Sequence, residues 1–122
     1  MNALLSIKPE FGENILAGEK QYEFRRTIFS DADSIDFVYL YASSPVMKII
    51  GGFTHQRIIE ASPEELWELF GDQSGIDEQE QFMDYYEGAD TGYAIQIDTI
   101  HRLEEPIMPT ELFKEFVPPV SF

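Results

Sequence analysis

The 122-residue sequence contains no cysteine. This absence excludes disulfide bonds, thiolate metal sites, iron–sulfur ligation and a cysteine nucleophile. The longest run without a charged residue, Phe37 to Met47, is far shorter than the roughly 20 apolar residues that cross a bilayer. The N-terminal residues also lack the basic lead and apolar stretch of a signal peptide. We therefore expect a cytoplasmic protein that has no membrane partner.

Basic residues are scarce. The chain has 8 Lys and Arg against 23 Asp and Glu, and its formal net charge is -15. Broad binding to a phosphate backbone depends on cations that displace counterions, so this balance argues against it. Six of the eight basic residues lie in residues 1–61, whereas residues 62–122 carry two cations and fifteen carboxylates. We expect an anionic ligand to approach the side built by the N-terminal half.

Apolar residues are sufficient for one compact domain over residues 1–122, since 43% of the chain is hydrophobic and 14% aromatic. The predicted strands are 4–7, 20–26, 37–42, 46–59 and 93–103, and the predicted helices are 9–17, 63–70, 77–86 and 110–116, followed by an extended tail at 117–122. Paired Gly51 and Gly52 indicate a bulge or sharp bend inside a strand. This order predicts an α+β domain on a curled, mixed or antiparallel sheet.

The two helices of the acidic half carry start signals. Residues 62–65 match a capping box, with Leu66 and Leu69 in the buried stripe that follows. Asp77 and Glu80 repeat the capping spacing at the start of the second helix. The acidic run from 64 to 90 is therefore interpreted mainly as the solvated face of two helices.

One local pattern concentrates chemistry: Gly18, Lys20, Glu23 and Arg25 lie within eight residues, where a helix ends and a strand begins. Strand alternation places Glu23 and Arg25 on one face, and Lys20 sits at an exposed turn near that face. An acceptor, a planar fork of donors and a mobile cation suit a phosphate, a base edge or a polarised carbonyl. The alternative interpretation is a surface Glu–Arg pair beside an unrelated lysine.

These four residues match the G-x-K-x-x-E-x-R signature of the ASCH domain, a branch of the PUA-like superfamily, and most of the chain resembles its small single-domain prokaryotic members. The resemblance implies a PUA-like curled barrel with an N-terminal helix and two to three further short helices. It also implies a cleft lined by Lys20, Glu23 and Arg25 that binds RNA in translation or transcription control. Lys8 and Arg26 would extend its positive rim.

Some ASCH proteins are amidohydrolases of acylated cytidine that combine the signature lysine with a threonine and a separate glutamate. Glu23 stands here where that threonine would lie, so the hydroxyl nucleophile is missing, with Thr27 and Ser43 as possible substitutes. Ribonuclease activity is also proposed for the family. In either enzyme Lys20 and Glu23 would be the catalytic residues.

Three functions follow, in order of preference. The first is recognition of a single nucleotide or short single strand by the cleft, with Ser43 and an aromatic wall that includes Tyr93. The second is hydrolysis of a modified nucleoside or of RNA. The third is docking of a basic partner on the acidic helices.

No motif predicts a cofactor or metal: His55 and His101 lack a metal-binding spacing, and residues 72–77 lack the pattern of a calcium loop. We expect a monomer or homodimer.

Overall fold

The computed structural model describes residues 2–29 and 34–111. Its strands are β1 (Asn2–Ile7), β2 (Tyr22–Arg25), β3 (Phe37–Ala42), β4 (Lys48–Ala61) and β5 (Gly92–Ile107). Its helices are α1 (Pro9–Leu16), α2 (Pro63–Phe70) and α3 (Gln79–Tyr85), and short 3-10 turns cover Gly71–Gln73 and Pro109–Glu111. Within these described ranges, no helix has the length and apolar character that a membrane crossing requires.

The five strands form one mixed sheet in the order β1-β3-β4-β5-β2. Strand β1 pairs in parallel with β3, and every other neighbour is antiparallel. The pairing of β4 with β3 shifts register between Leu40 and Tyr41, and Gly51 of β4 lies opposite Leu40 at this point. The pairing of β4 with β5 also shifts register next to Gly51. A Cβ atom at Gly51 would collide with the His101 carbonyl oxygen, so only glycine permits this approach. The predicted bulge is confirmed, and with it the curled α+β architecture.

The buried residues form two clusters. The first lies between α1 and the sheet and includes Ile15, Leu40 and Phe53, all fully buried. The second lies between α2, α3 and the β2–β5 pair, with Phe82 at its centre. Phe82 packs edge-on against Phe24 of β2 at a centroid distance of 5.1 Å. The second cluster thus fixes α3 beside β2, where the motif residues lie.

The predicted start of α2 is confirmed, because Ser62 and Glu65 form a reciprocal capping box. The burial predicted for Leu69 is wrong: Leu66 is fully buried, whereas Leu69 is 62% exposed. Helix α2 has only eight residues and packs along a narrow stripe that Leu69 misses. The prediction that Asp77 caps α3 is also wrong. The backbone of Glu78 is extended and accepts the first helical hydrogen bond from Phe82, so α3 begins after Asp77.

The C-terminal part differs from prediction in one strand. Strand β5 continues to Ile107, four residues past the predicted end, because Ile107 still pairs with Ile49 of β4. Of the helix predicted at 110–116, residues 110 and 111 lie in a 3-10 turn and the others lie outside the described residues. The predicted tail at 117–122 also lies outside them.

Candidate nucleotide-binding site

A cavity of about 330 Å³ opens where the two edge strands of the curled sheet approach each other. The end of β1, the start of α1, strand β2 and helix α3 supply its walls. Its lining residues are Ile7, Lys8, Phe11, Lys20, Glu23, Phe24, Arg25, Ile76, Gln81, Asp84 and Tyr85. The cavity therefore contains the three charged residues of the predicted motif, together with apolar and aromatic side chains that limit water around them.

The turn between α1 and β2 delivers Lys20 to this cavity. Helix α1 is followed by Gly18, whose φ of 80° is the left-handed conformation that glycine adopts without strain. The backbone N–H groups of Glu19 and Lys20 both donate to the Asn14 carbonyl, at 2.9 and 3.1 Å. The signature glycine thus reverses the chain so that Lys20 lies beneath α1, just ahead of β2.

Lys20, Glu23 and Arg25 form one compact charged cluster. Lys20 Nζ lies 3.6 Å from Glu23 Oε1, and Arg25 Nη1 donates to Glu23 Oε2 at 3.4 Å. The three side chains are 3%, 6% and 13% exposed, respectively. In such a desolvated setting, charge interactions are stronger than at a surface. The cluster provides two cationic donors and one acceptor around a single point.

Lys20 is buried, so the exposed turn predicted for it is wrong. Its ammonium donates to the Ser74 carbonyl and lies 5.5 Å from the centre of the Phe11 ring and 5.2 Å from that of Phe24. Burial lowers the pKa of Lys20 below its ordinary value, and the charge of Glu23 opposes that shift. A lysine in this state gives up its proton more readily than a surface lysine.

Helix α3 closes the cavity from the other side. The Tyr85 hydroxyl donates to the Phe24 carbonyl at 3.2 Å, and the Tyr86 hydroxyl donates to the Arg25 carbonyl at 3.1 Å. Burial raises the pKa of Tyr85, so this hydroxyl keeps its proton and stays a donor at neutral pH. These bonds hold the Tyr85 ring at the cavity wall.

The other predicted site residues are distributed unequally. Lys8 lies at the rim as an exposed lining residue. Arg26 is exposed and donates to the Tyr85 carbonyl at 3.4 Å, next to the cavity but not in its lining. Ser43 donates its backbone N–H to Ile7, and Tyr93 pairs with Arg25 across the ladder; neither side chain lines the cavity. Ligand contacts stay predictions for all seven residues, and the cavity lining includes Lys8, Lys20, Glu23 and Arg25 but not the other three.

Sequence reasoning missed the residues that α3 and the turn at Ser74 contribute to this site. Gln81, Asp84 and Tyr85 lie in the helix whose acidic residues were interpreted as a solvated face, although α3 presents these three residues to the cavity. Ser74 was also missed, because its contact with Lys20 spans 54 residues of chain. The Ser74–Gly75 dipeptide, which is typical of a turn, was the one local signal near it.

The remaining sequence candidates lie elsewhere. His55 and His101 occupy separate positions on β4 and β5, and His101 packs 5.4 Å from the Phe37 ring. Among the described residues, no group of three or more His, Cys, Asp or Glu side chains is arranged to hold a metal ion. Trp67 packs against Phe82 at a centroid distance of 5.2 Å.

Comparison with known proteins defines the family. The chain is 35% identical to an ASCH domain-containing ribonuclease of Zymomonas mobilis subsp. mobilis, over 98% of this chain and 80% of the relative. The crystal structure of ASCH from Zymomonas mobilis matches it with a TM-score of 0.82 and 31% identity, over 97% of this chain and 82% of that one. The structure of a single-residue variant of that protein gives 0.84 and 30%, over 99% and 88%. No family model matches.

The fold is accordingly an α+β, PUA-like curled barrel. This chain belongs to the ASCH domain family.

Proposed function

We propose that this protein binds single-stranded RNA and cleaves it, with one nucleotide held in the cavity at Lys20, Glu23 and Arg25. The observation that carries the proposal is the burial of these three side chains against one another inside a cavity. Burial of charges costs free energy that pairing offsets only in part, and perturbed titratable groups in a cavity are candidates for functional sites. The relative from Zymomonas mobilis, a ribonuclease, supports RNA as the substrate class.

The dimensions of the cavity favour one nucleotide over a duplex. Its volume of about 330 Å³ is at the lower end of the usual range for small-molecule sites, roughly 300 to 1,000 Å³. Phe11 and Tyr85 offer ring surfaces in its lining. Proteins that read single-stranded RNA splay bases out and stack them on such rings. A double helix has no unstacked base to insert.

The charges also favour a local interaction. The acidic helices carry ten carboxylates from residue 64 to residue 90 and no cation, so a long phosphate backbone is repelled from that half. A second cavity, beside α2, is lined by Glu64, Glu68 and Asp72 and is equally unsuited to phosphate. RNA contacts are therefore assigned to the few cations at the motif.

The cluster supplies the groups that RNA cleavage by internal transfer requires. Glu23 accepts the proton of the ribose 2′-hydroxyl as its oxygen attacks phosphorus, and Arg25 stabilises the charge on the phosphoryl oxygens. The bond from phosphorus to the 5′-oxygen breaks, and the Lys20 ammonium gives that oxygen a proton. The products are a 2′,3′-cyclic phosphate and a 5′-hydroxyl. The lowered pKa of Lys20 makes it a stronger acid in this step.

The proposal is tested with an end-labelled single-stranded RNA, the DNA of the same sequence and a set of variants. We expect cleavage of RNA only, with cyclic phosphate ends. Lys20→Met and Glu23→Gln should each reduce the rate by at least about a hundredfold, the lower end of the effect of acid–base groups. Lys48→Met removes the same charge from the exposed start of β4 and is the matched control. Equal cleavage by Lys20→Met and wild type would overturn the site assignment.

Further assays on the same proteins distinguish the other candidate functions. Hydrolysis of acylated cytidine needs a replacement for the threonine nucleophile, and neither Thr27 nor Ser43 lines the cavity. Release of cytidine from an acylated cytidine would nevertheless establish that activity. Tight RNA binding without cleavage would reduce the function to recognition of a nucleotide. If the wild-type protein neither binds nor cleaves RNA, docking of a basic partner on the acidic helices becomes the function to test.

A further inference from the structure

Ser74 lies outside the motif, yet its backbone carbonyl accepts a hydrogen bond from the Lys20 ammonium. The residue is completely buried in the turn between α2 and α3. Three ammonium donors are available to a protonated lysine. The Ser74 carbonyl takes one, and Glu23 lies 3.6 Å away on another side. These two neighbours fix the direction of an otherwise flexible side chain.

The Ser74 hydroxyl shapes the turn that presents this carbonyl. Its Oγ donates to the Gly71 carbonyl at 2.7 Å and accepts from the Ile76 backbone N–H at 3.0 Å. Gly75 follows with a φ of 76°, a conformation that L residues rarely adopt. The hydroxyl therefore bonds to both sides of the chain reversal and holds its shape.

The same turn is attached to the strand that carries the motif. The backbone N–H of Gln21, next to Lys20, donates to the Gln73 carbonyl at 3.0 Å. A Cβ atom at Gly75 would lie 3.4 Å from Lys20 Cδ, which shows how closely the turn follows the lysine stem. Contacts to the backbone and to the side chain thus fix the turn relative to Lys20.

We propose that Ser74 is a positioning residue for Lys20: its hydroxyl fixes the turn whose carbonyl holds the ammonium beside Glu23 and at the cavity. This inference rests on the proposed function for its effect on cleavage. The hydrogen bonds of Ser74 explain how a lysine at the end of a short turn stays directed into the site. Loss of the hydroxyl releases the carbonyl, so the ammonium stays buried but loses an acceptor and its fixed direction toward Glu23.

The experiment uses the full chain with Ser74→Ala and, as matched control, Ser62→Ala. Ser62 also uses its hydroxyl to hold a turn, at the start of α2, but its bonds are exposed and made with Glu65. We expect Ser74→Ala to reduce kcat for RNA cleavage at least tenfold with little change in KM. The alkaline limb of its pH–rate profile should move to lower pH, because the charged form of Lys20 loses an acceptor. Ser62→Ala should change neither quantity.

A second readout does not depend on activity. The chain contains four lysines, so labelling of their Cε atoms allows the titration of Lys20 to be followed by NMR. We expect the Lys20 midpoint to fall in Ser74→Ala and to be unchanged in Ser62→Ala. If wild type cleaves no RNA, the proposed function fails, and the titration still decides whether Ser74 holds Lys20. A folded Ser74→Ala protein with unchanged titration would overturn the inference.

A second variant protects the test if Ser74→Ala does not fold. Gly75→Ala strains the same turn and adds a methyl group beside the Lys20 stem, whereas Gly88→Ala introduces similar strain at a φ of 82° with no atom within 4 Å of the new Cβ. The first should lower the Lys20 midpoint and the second should not. Equal titration in both glycine variants would also contradict the positioning role.

Discussion

Arg25 and Ser6 connect the two edges of the curled sheet: Arg25 Nη1 on β2 donates to the Ser6 carbonyl on β1 at 3.2 Å. These strands are the last and the first in the order β1-β3-β4-β5-β2. The same nitrogen donates to Glu23 at 3.4 Å. One guanidinium therefore links the closure of the barrel to the charged cluster, so changes in Arg25 should affect both stability and binding.

The variant Arg25→Met should lower the free energy of unfolding, because it removes this link while keeping a long apolar stem. Hydrogen bonds of charged groups contribute about 1.5 to 3 kcal/mol, and we expect a loss in that range. Urea unfolding measures it. Arg57→Met is the matched control, since Arg57 is exposed and donates to Gln96 at 3.1 Å on the surface of the β4–β5 pair. A loss within about 0.5 kcal/mol for both variants would contradict the closing role.

The same substitution on one helix should have two different results. Leu66→Ala leaves a cavity in the second cluster and should cost about 2 to 5 kcal/mol of unfolding free energy. Leu69→Ala alters a side chain that is 62% exposed and should stay within about 0.5 kcal/mol. Thermal and urea unfolding of both proteins provide the comparison. Equal losses would mean that α2 is rotated relative to its described position.

Much of the fold and the motif could be predicted because the responsible signals are local. Strand alternation predicted that Glu23 and Arg25 share a face, and both indeed line the cavity together with Lys20. The capping box predicted the start of α2, and the paired glycines predicted the bend in β4. In each case the residues that determine the conformation lie within a few positions of one another.

The missed features depend on contacts between distant segments. The burial of Lys20 follows from the Ser74 turn, 54 residues away, which no local pattern reveals. The extra length of β5 follows from its pairing with β4. Leu69 has a hydrophobic side chain at a favourable spacing, but a helix of two turns buries only the residues that its neighbours reach. Tertiary packing decides all three.

The affinity for single-stranded RNA should depend weakly on salt. Each phosphate contact contributes a slope of about 0.7 in the plot of log K against log salt concentration, and one to three contacts are expected from the cations around the cavity. Lys8→Met should reduce the magnitude of the slope by about 0.7, because Lys8 is the exposed cation of the rim. Fluorescence anisotropy at several salt concentrations measures both values. A slope that corresponds to more than three phosphate contacts would reveal a basic surface outside this cavity.

Lys20 should make stability depend on pH in the alkaline range. Burial lowers its pKa in the folded protein below the ordinary value of 10.5, so the unfolded chain binds more protons between those two values. The free energy of unfolding that Lys20 contributes therefore rises as pH increases from the folded pKa to 10.5 and is constant above it. Below the folded pKa the full cost of the buried charge is present.

The comparison with Lys20→Met isolates this effect, because other groups, including the tyrosines, titrate in both proteins. We expect the difference in unfolding free energy, wild type minus Lys20→Met, to become more favourable to wild type as pH rises toward 10.5. In a Glu23→Gln background the rise should begin at lower pH, since the Glu23 charge raises the pKa of Lys20. Urea unfolding at a series of pH values measures both. A difference that stays flat would mean that Lys20 has the same pKa in the folded and unfolded states, and that its burial carries no electrostatic cost.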